Sequence, residues 1–69
     1  MTLHEAMRQY TQEHGLVYGD DTSISVKQGS YRFESVTYRK DGTSVRTPLT
    51  DWEPINWQHP YWLRVRQAM

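Results

Sequence analysis

The last third of this chain cannot be a long helix or a central strand. Pro48, Pro54 and Pro60 recur six residues apart. Each fixes φ and lacks the backbone N–H that a helix interior or an inner strand needs. The same stretch carries all three tryptophans, Trp52, Trp57 and Trp62. An irregular arm therefore holds the bulkiest side chains. Those indoles either complete a small core or wait for a partner.

Size sharpens that choice. At 69 residues the chain is expected to form a single domain over residues 1–69. A domain of this class buries only roughly 60% of the surface its unfolded chain exposes. There is no cysteine, so neither a disulfide nor a thiolate metal site can supplement the core. Local packing or self-association as a homodimer is the expected supplement. No run of about 18 apolar residues is present for a membrane span. No basic start followed by an apolar run suggests a secretory signal. A cytoplasmic location is the expectation, and no membrane partner is expected.

The N-terminal segment reads as a helix over 2–14. Thr2 and Glu5 form a capping box. Leu3, Met7, Tyr10 and His14 share one face at helical spacing. Gly15 stands where a left-handed cap belongs, with Leu16 after it. Gly19 to Thr22 then reads as a turn.

Two hairpins follow. A two-residue loop at Gln28-Gly29 pairs Lys27 with Ser30, Val26 with Tyr31 and Ile24 with Phe33. The apolar members of these pairs share one face. Asp41-Gly42 reads as a type I′ turn, with positive φ at both positions. That turn pairs Tyr38 with Val45 and Val36 with Thr47. The apolar parity changes between Phe33 and Val36, which a bulge near Glu34-Ser35 would repair. Gly29 is expected to be more replaceable than Gly42.

In the arm, Thr50 to Glu53 repeats the capping-box spacing and suggests one helical turn. After Pro60 the text admits a strand. It fits better a short helix that starts at Pro60, with Trp62, Val65 and Met69 on one face. Trp62 is buried on the helical reading and exposed on the strand reading. The expected fold class is α+β: an N-terminal helix packed on a three-stranded antiparallel meander, then a Pro/Trp-rich arm with a short terminal helix or fourth strand.

Formal charge is zero, but residues 1–22 hold four acids against Arg8, and residues 23–69 hold seven bases against four acids. An acidic head and a basic body can pair head to tail between copies, or offer a basic face to an acidic partner. Overall neutrality disfavours a dedicated nucleic-acid binder. His4 and His14 are too far apart on a helix to share an ion, and His59 is remote. No metal site, cofactor or catalytic residue is expected, because such sites need convergent partners.

Two candidate surfaces remain. Trp52, Trp57, Tyr61, Trp62, Arg64 and Arg66 are the residue types that dominate protein interfaces. Arg32, Tyr38, Arg39, Lys40 and Arg46 form a basic, aromatic hairpin that could enter a DNA groove or stack bases. The phrase Tyr31-Arg-Phe to Tyr-Arg-Lys-Asp-Gly42 resembles, in that stretch alone, the small sheet domains at the N-terminus of phage-type integrases. The acidic leading helix and the aromatic arm depart from their pattern. The sequence points first to a non-enzymatic protein-binding module, of the accessory or inhibitor kind found in phages and mobile elements. Its partner would be a larger protein. Nucleic-acid binding through the hairpin is the alternative.

Overall fold

The computed structural model describes residues 2–68. The architecture is α+β. Helix α1 (Leu3–Glu13) precedes strands β1 (Thr22–Lys27), β2 (Ser30–Tyr38), β3 (Ser44–Pro48) and β4 (Glu53–Pro54), and helix α2 (Pro60–Ala68) ends the chain. The described residues divide into two compact units. One comprises the chain up to Tyr18 and from Ile55 onward; the other is Gly19–Pro54.

The helical unit follows its caps. The Glu5 N–H donates to Thr2 Oγ1 at 3.1 Å, and that hydroxyl donates to Glu5 Oε1. At the other end Gly15 has φ +74°. Its N–H donates to Gln12 O, and the Leu16 N–H donates to Thr11 O. These two bonds make a Schellman motif. Helix α1 turns Ala6, Tyr10 and Thr11 inward, while Leu3 is exposed. The buried stripe is thus centred about one position away from the predicted one. Thr11 is tolerated there because its hydroxyl donates to Met7 O at 2.7 Å.

Helix α2 packs on α1. It starts at Pro60, where a missing N–H costs nothing. His59 caps it: Nδ1 accepts the Tyr61 N–H at 3.1 Å. Nε2 must then carry the proton, which it donates to Glu13 Oε1 at 2.9 Å. Trp62 is buried, as the helical reading requires, and Val65 is half-buried; Tyr61, expected at a partner surface, is buried as well. Met69, expected on that face, lies outside the described residues.

In the sheet unit, β2 is central. The β1–β2 register pairs Lys27 with Ser30, Val26 with Tyr31 and Ile24 with Phe33, as the residue alternation predicts. The connecting turn has Gln28 at φ 51° and Gly29 at φ 79°, the signature of type I′. The expectation that Gly29 is the more replaceable glycine is therefore corrected.

The second hairpin also differs from expectation. Thr37 faces Val45 and Tyr38 faces Ser44, one residue off the predicted register. Only Gly42 is left-handed in this loop. The Gly42 N–H donates to Arg39 O, and the Arg39 N–H donates to Thr43 O. This is a three-residue loop, a type I turn closed by a left-handed glycine. Asp41 Oδ1 accepts from both the N–H and the hydroxyl of Thr43, which holds the loop in that form. One extra loop residue moves every partner by one and changes its face.

Strand β2 carries no bulge at Glu34-Ser35; both residues pair regularly on both sides. The extra residues sit on the neighbouring edge. Between the Glu34–Pro48 and Tyr31–Glu53 pairs the register slips by two. The Leu49 N–H donates to Phe33 O, and Thr50 Oγ1 accepts the Phe33 N–H. Asp51 and Trp52 are displaced from the ladder, and Glu53-Pro54 resumes it as β4. The predicted helical turn at Thr50–Glu53 is thus absent, because Thr50 satisfies β2 instead of starting a helix.

Both hairpin glycines occupy a region that a β-branched side chain resists. Gly29→Val and Gly42→Val should each cost ~1–3 kcal/mol. Nothing lies within 4 Å of either added Cβ, so the cost is backbone strain rather than a clash. Paired urea melts check this; a wild-type midpoint for Gly29→Val would contradict the turn geometry.

Candidate interaction surfaces

The arm residues separate into core and surface. Trp62 is 3% exposed and Tyr61 is buried, whereas Trp57 is 45% and Trp52 38% exposed. Arg66 is exposed and Arg64 half-buried. Trp52 belongs to the sheet unit, and the other five predicted arm residues belong to the helical unit.

In the helical unit, Tyr10 organises the aromatics. Its hydroxyl accepts from Trp62 Nε1 at 3.0 Å. Its ring stacks on Tyr61 at 5.1 Å and lies 4.2 Å from His59. The His14 Nδ1–H donates to Tyr10 O at 2.9 Å, so His14 closes the last turn of α1. Trp57 meets Trp62 edge-on at 5.8 Å, which leaves much of its indole facing solvent. Burial raises the Tyr61 phenol above its ordinary value, and the neighbouring Tyr10 adds to this. Tyr61 and Trp62 thus contribute packing, while Trp57 offers contact area. On another side of α1, Tyr18 hydrogen-bonds His4 Nδ1 at 3.0 Å, with the Arg8 guanidinium 5.8 Å from its ring.

In the sheet unit the hairpin cations are divided. Glu34 is 2% exposed. Its carboxylate accepts from Ser25 Oγ at 2.6 Å, from Arg32 Nε at 2.7 Å and from Arg46 Nη1 at 3.2 Å. The Ser25 hydrogen bond leads in holding its carboxyl below the ordinary value; burial opposes this and the two arginines reinforce it. Arg32 also lies 4.4 Å from the Trp52 ring. Trp52, Arg32 and Glu34 therefore form a stack from solvent to sheet. Arg46 additionally donates to Ser23 Oγ. Arg39 and Lys40 occupy the exposed loop, next to Tyr38, which is 77% exposed.

Sequence reasoning placed Arg32 and Arg46 on a free basic face and did not foresee Glu34 as their anchor. A signal was available. The predicted first hairpin already set Glu34 opposite Ser23 and Arg32 opposite Ser25, so short polar side chains surround an acid on the middle strand. Among the described residues, no group of three histidine, aspartate or glutamate side chains is placed to hold a metal. Among them, too, no helix is long and apolar enough to cross a membrane. Comparison of the chain with protein-family models, curated proteins and solved structures yields no match.

Proposed function

We propose that the chain is a small, non-enzymatic, cytoplasmic protein-binding module that occupies the surface of a larger protein. An accessory or inhibitor role of the phage or mobile-element type suits such a module. The observation that carries this reading is the Trp52–Arg32 pair. An exposed indole rests on a guanidinium that a buried carboxylate holds still. Indole and guanidinium groups dominate interface hot spots, and pre-ordering them lowers the entropy lost on binding. Trp57 supplies a second exposed indole.

Nucleic-acid binding is the second reading, favoured by Tyr38, Arg39 and Lys40 at the hairpin tip. It is weakened because Arg32 and Arg46 already share a carboxylate. A second copy of the chain is the alternative protein partner, on the strength of the acidic head and basic body. A mass that rises with concentration would mark it.

Affinity capture from the native host tests the main reading. A discrete protein should be retained by the wild type after nuclease treatment and lost by the folded double variant Trp52→Ala/Trp57→Ala. Capture that disappears with nuclease would overturn it. Nucleic-acid binding would also weaken steeply with added salt.

A further inference from the structure

We infer that the outer edge of β3 is a docking site for an extended segment of a partner protein that alternates acidic and apolar residues. The segment adds as one more strand. This rests on the protein-binding reading and names the partner's chemistry.

The edge can be read from the hydrogen-bond phase. Arg39 and Thr43 are joined at one end of the hairpin, and Phe33 and Leu49 at the other. Bonded and non-bonded pairs alternate along an antiparallel ladder. Thr37–Val45 and Ser35–Thr47 are therefore the bonded pairs. Tyr38–Ser44, Val36–Arg46 and Glu34–Pro48 are the others. The backbone groups of Ser44, Arg46 and Pro48 consequently point away from β2. Ser44 and Arg46 present both N–H and C=O, while Pro48 presents only C=O and ends the row. All five residues of β3 are exposed, and β2 is its one strand neighbour among the described residues. Strand β1 is the other edge, but its first four residues are half-buried.

Charge selects the occupant. From Arg32 to Pro48 the chain carries Arg32, Arg39, Lys40 and Arg46 against Glu34 and Asp41; Arg32 and Arg46 share the single Glu34 carboxylate, so the edge keeps a positive excess. A second β3 would bring the same cations against themselves, and like charges across strands are destabilising. An acidic strand meets them favourably. Side chains of an added strand alternate between faces. One set would lie on the Arg46 and Tyr38 face, the other on the Val45 and Thr47 face. Acidic residues fit the first and apolar residues the second.

The test is an amide NMR titration of the whole chain with a blocked peptide of alternating Glu and Val. Shifts should centre on the Ser44, Val45, Arg46 and Thr47 amides, with exchange slowed at Ser44 and Arg46. The Lys–Val counterpart should bind about tenfold more weakly, as like charge predicts. Ser44→Pro removes one outward donor without touching the ladder to β2. It should weaken binding about fivefold, the scale of one hydrogen bond. Arg39→Glu/Lys40→Glu changes two exposed side chains at the hairpin end and should also weaken the Glu–Val peptide, with an unchanged amide spectrum elsewhere as the check on the fold. Equal binding of both peptides, or shifts centred elsewhere, would overturn the inference. So would the same β3 shifts arising from concentration alone, which would mark self-pairing. Host capture is scored separately: a partner still held through Trp52 and Trp57 by Ser44→Pro at full strength removes the edge strand but leaves the module reading standing.

Discussion

Trp62→Ala should remove ~3–5 kcal/mol of stability, the scale of deleting a buried large aromatic. Chains of this length have roughly 3–10 kcal/mol in total, so the variant should be largely unfolded near physiological temperature. The indole is 3% exposed, donates to the Tyr10 hydroxyl, and meets Trp57 and Tyr61 edge-on. Its loss opens a cavity between the two helices and removes the hydrogen bond to the Tyr10 hydroxyl. Trp57→Ala removes an indole that is 45% exposed. It should cost about 1 kcal/mol, the scale of one aromatic pair. Thermal melts of the two variants compare them directly. Equal losses would mean that Trp57, not Trp62 alone, belongs to the core.

Glu34→Gln should cost ~2 kcal/mol, since hydrogen bonds to a charged group are stronger than neutral ones. The full penalty of an orphaned buried charge is not expected, because the Arg32 and Arg46 side chains are 28% and 52% exposed and reach water. The change also flattens the acid side of the stability profile. The folded carboxyl sits below its ordinary value, so the unfolded chain binds that proton first as pH falls. Its contribution is complete above the ordinary carboxylate range and is lost as pH drops through the lowered folded value. Urea melts on acidification should show the wild type losing stability faster than Glu34→Gln. Parallel profiles would contradict the buried-carboxylate assignment.

The parts of the fold that were legible share a cause: local chemistry specifies them alone. Thr2 with Glu5, and Gly15 with Leu16, bound the first helix through bonds within a few residues. Gln28-Gly29 sets its own register because both turn positions adopt positive φ. The second hairpin escaped because Asp-Gly serves two turn types. Asp41 bonding Thr43 selects the three-residue form, and that preference shows only in the fold. Strand β4 escaped because Glu53-Pro54 is extended by pairing with β2, not by propensity. The candidate surface was legible by residue type but not by burial. Tyr61 and Trp62 have interface chemistry and lie inside, while Arg32 and Arg46 look free and are held by Glu34.

The most direct measurement is the affinity of the host-captured partner, once purified, for alanine variants that remain folded. If the exposed indoles anchor the complex, Trp52→Ala or Trp57→Ala should cost ~2 kcal/mol or more, the scale of a hot spot. Arg39→Ala and Lys40→Ala should cost less and act mainly on the association rate. Loss of binding in the folded Arg39→Ala/Lys40→Ala variant, with both tryptophan variants unaffected, would contradict the account and move the contact from the indoles to the hairpin.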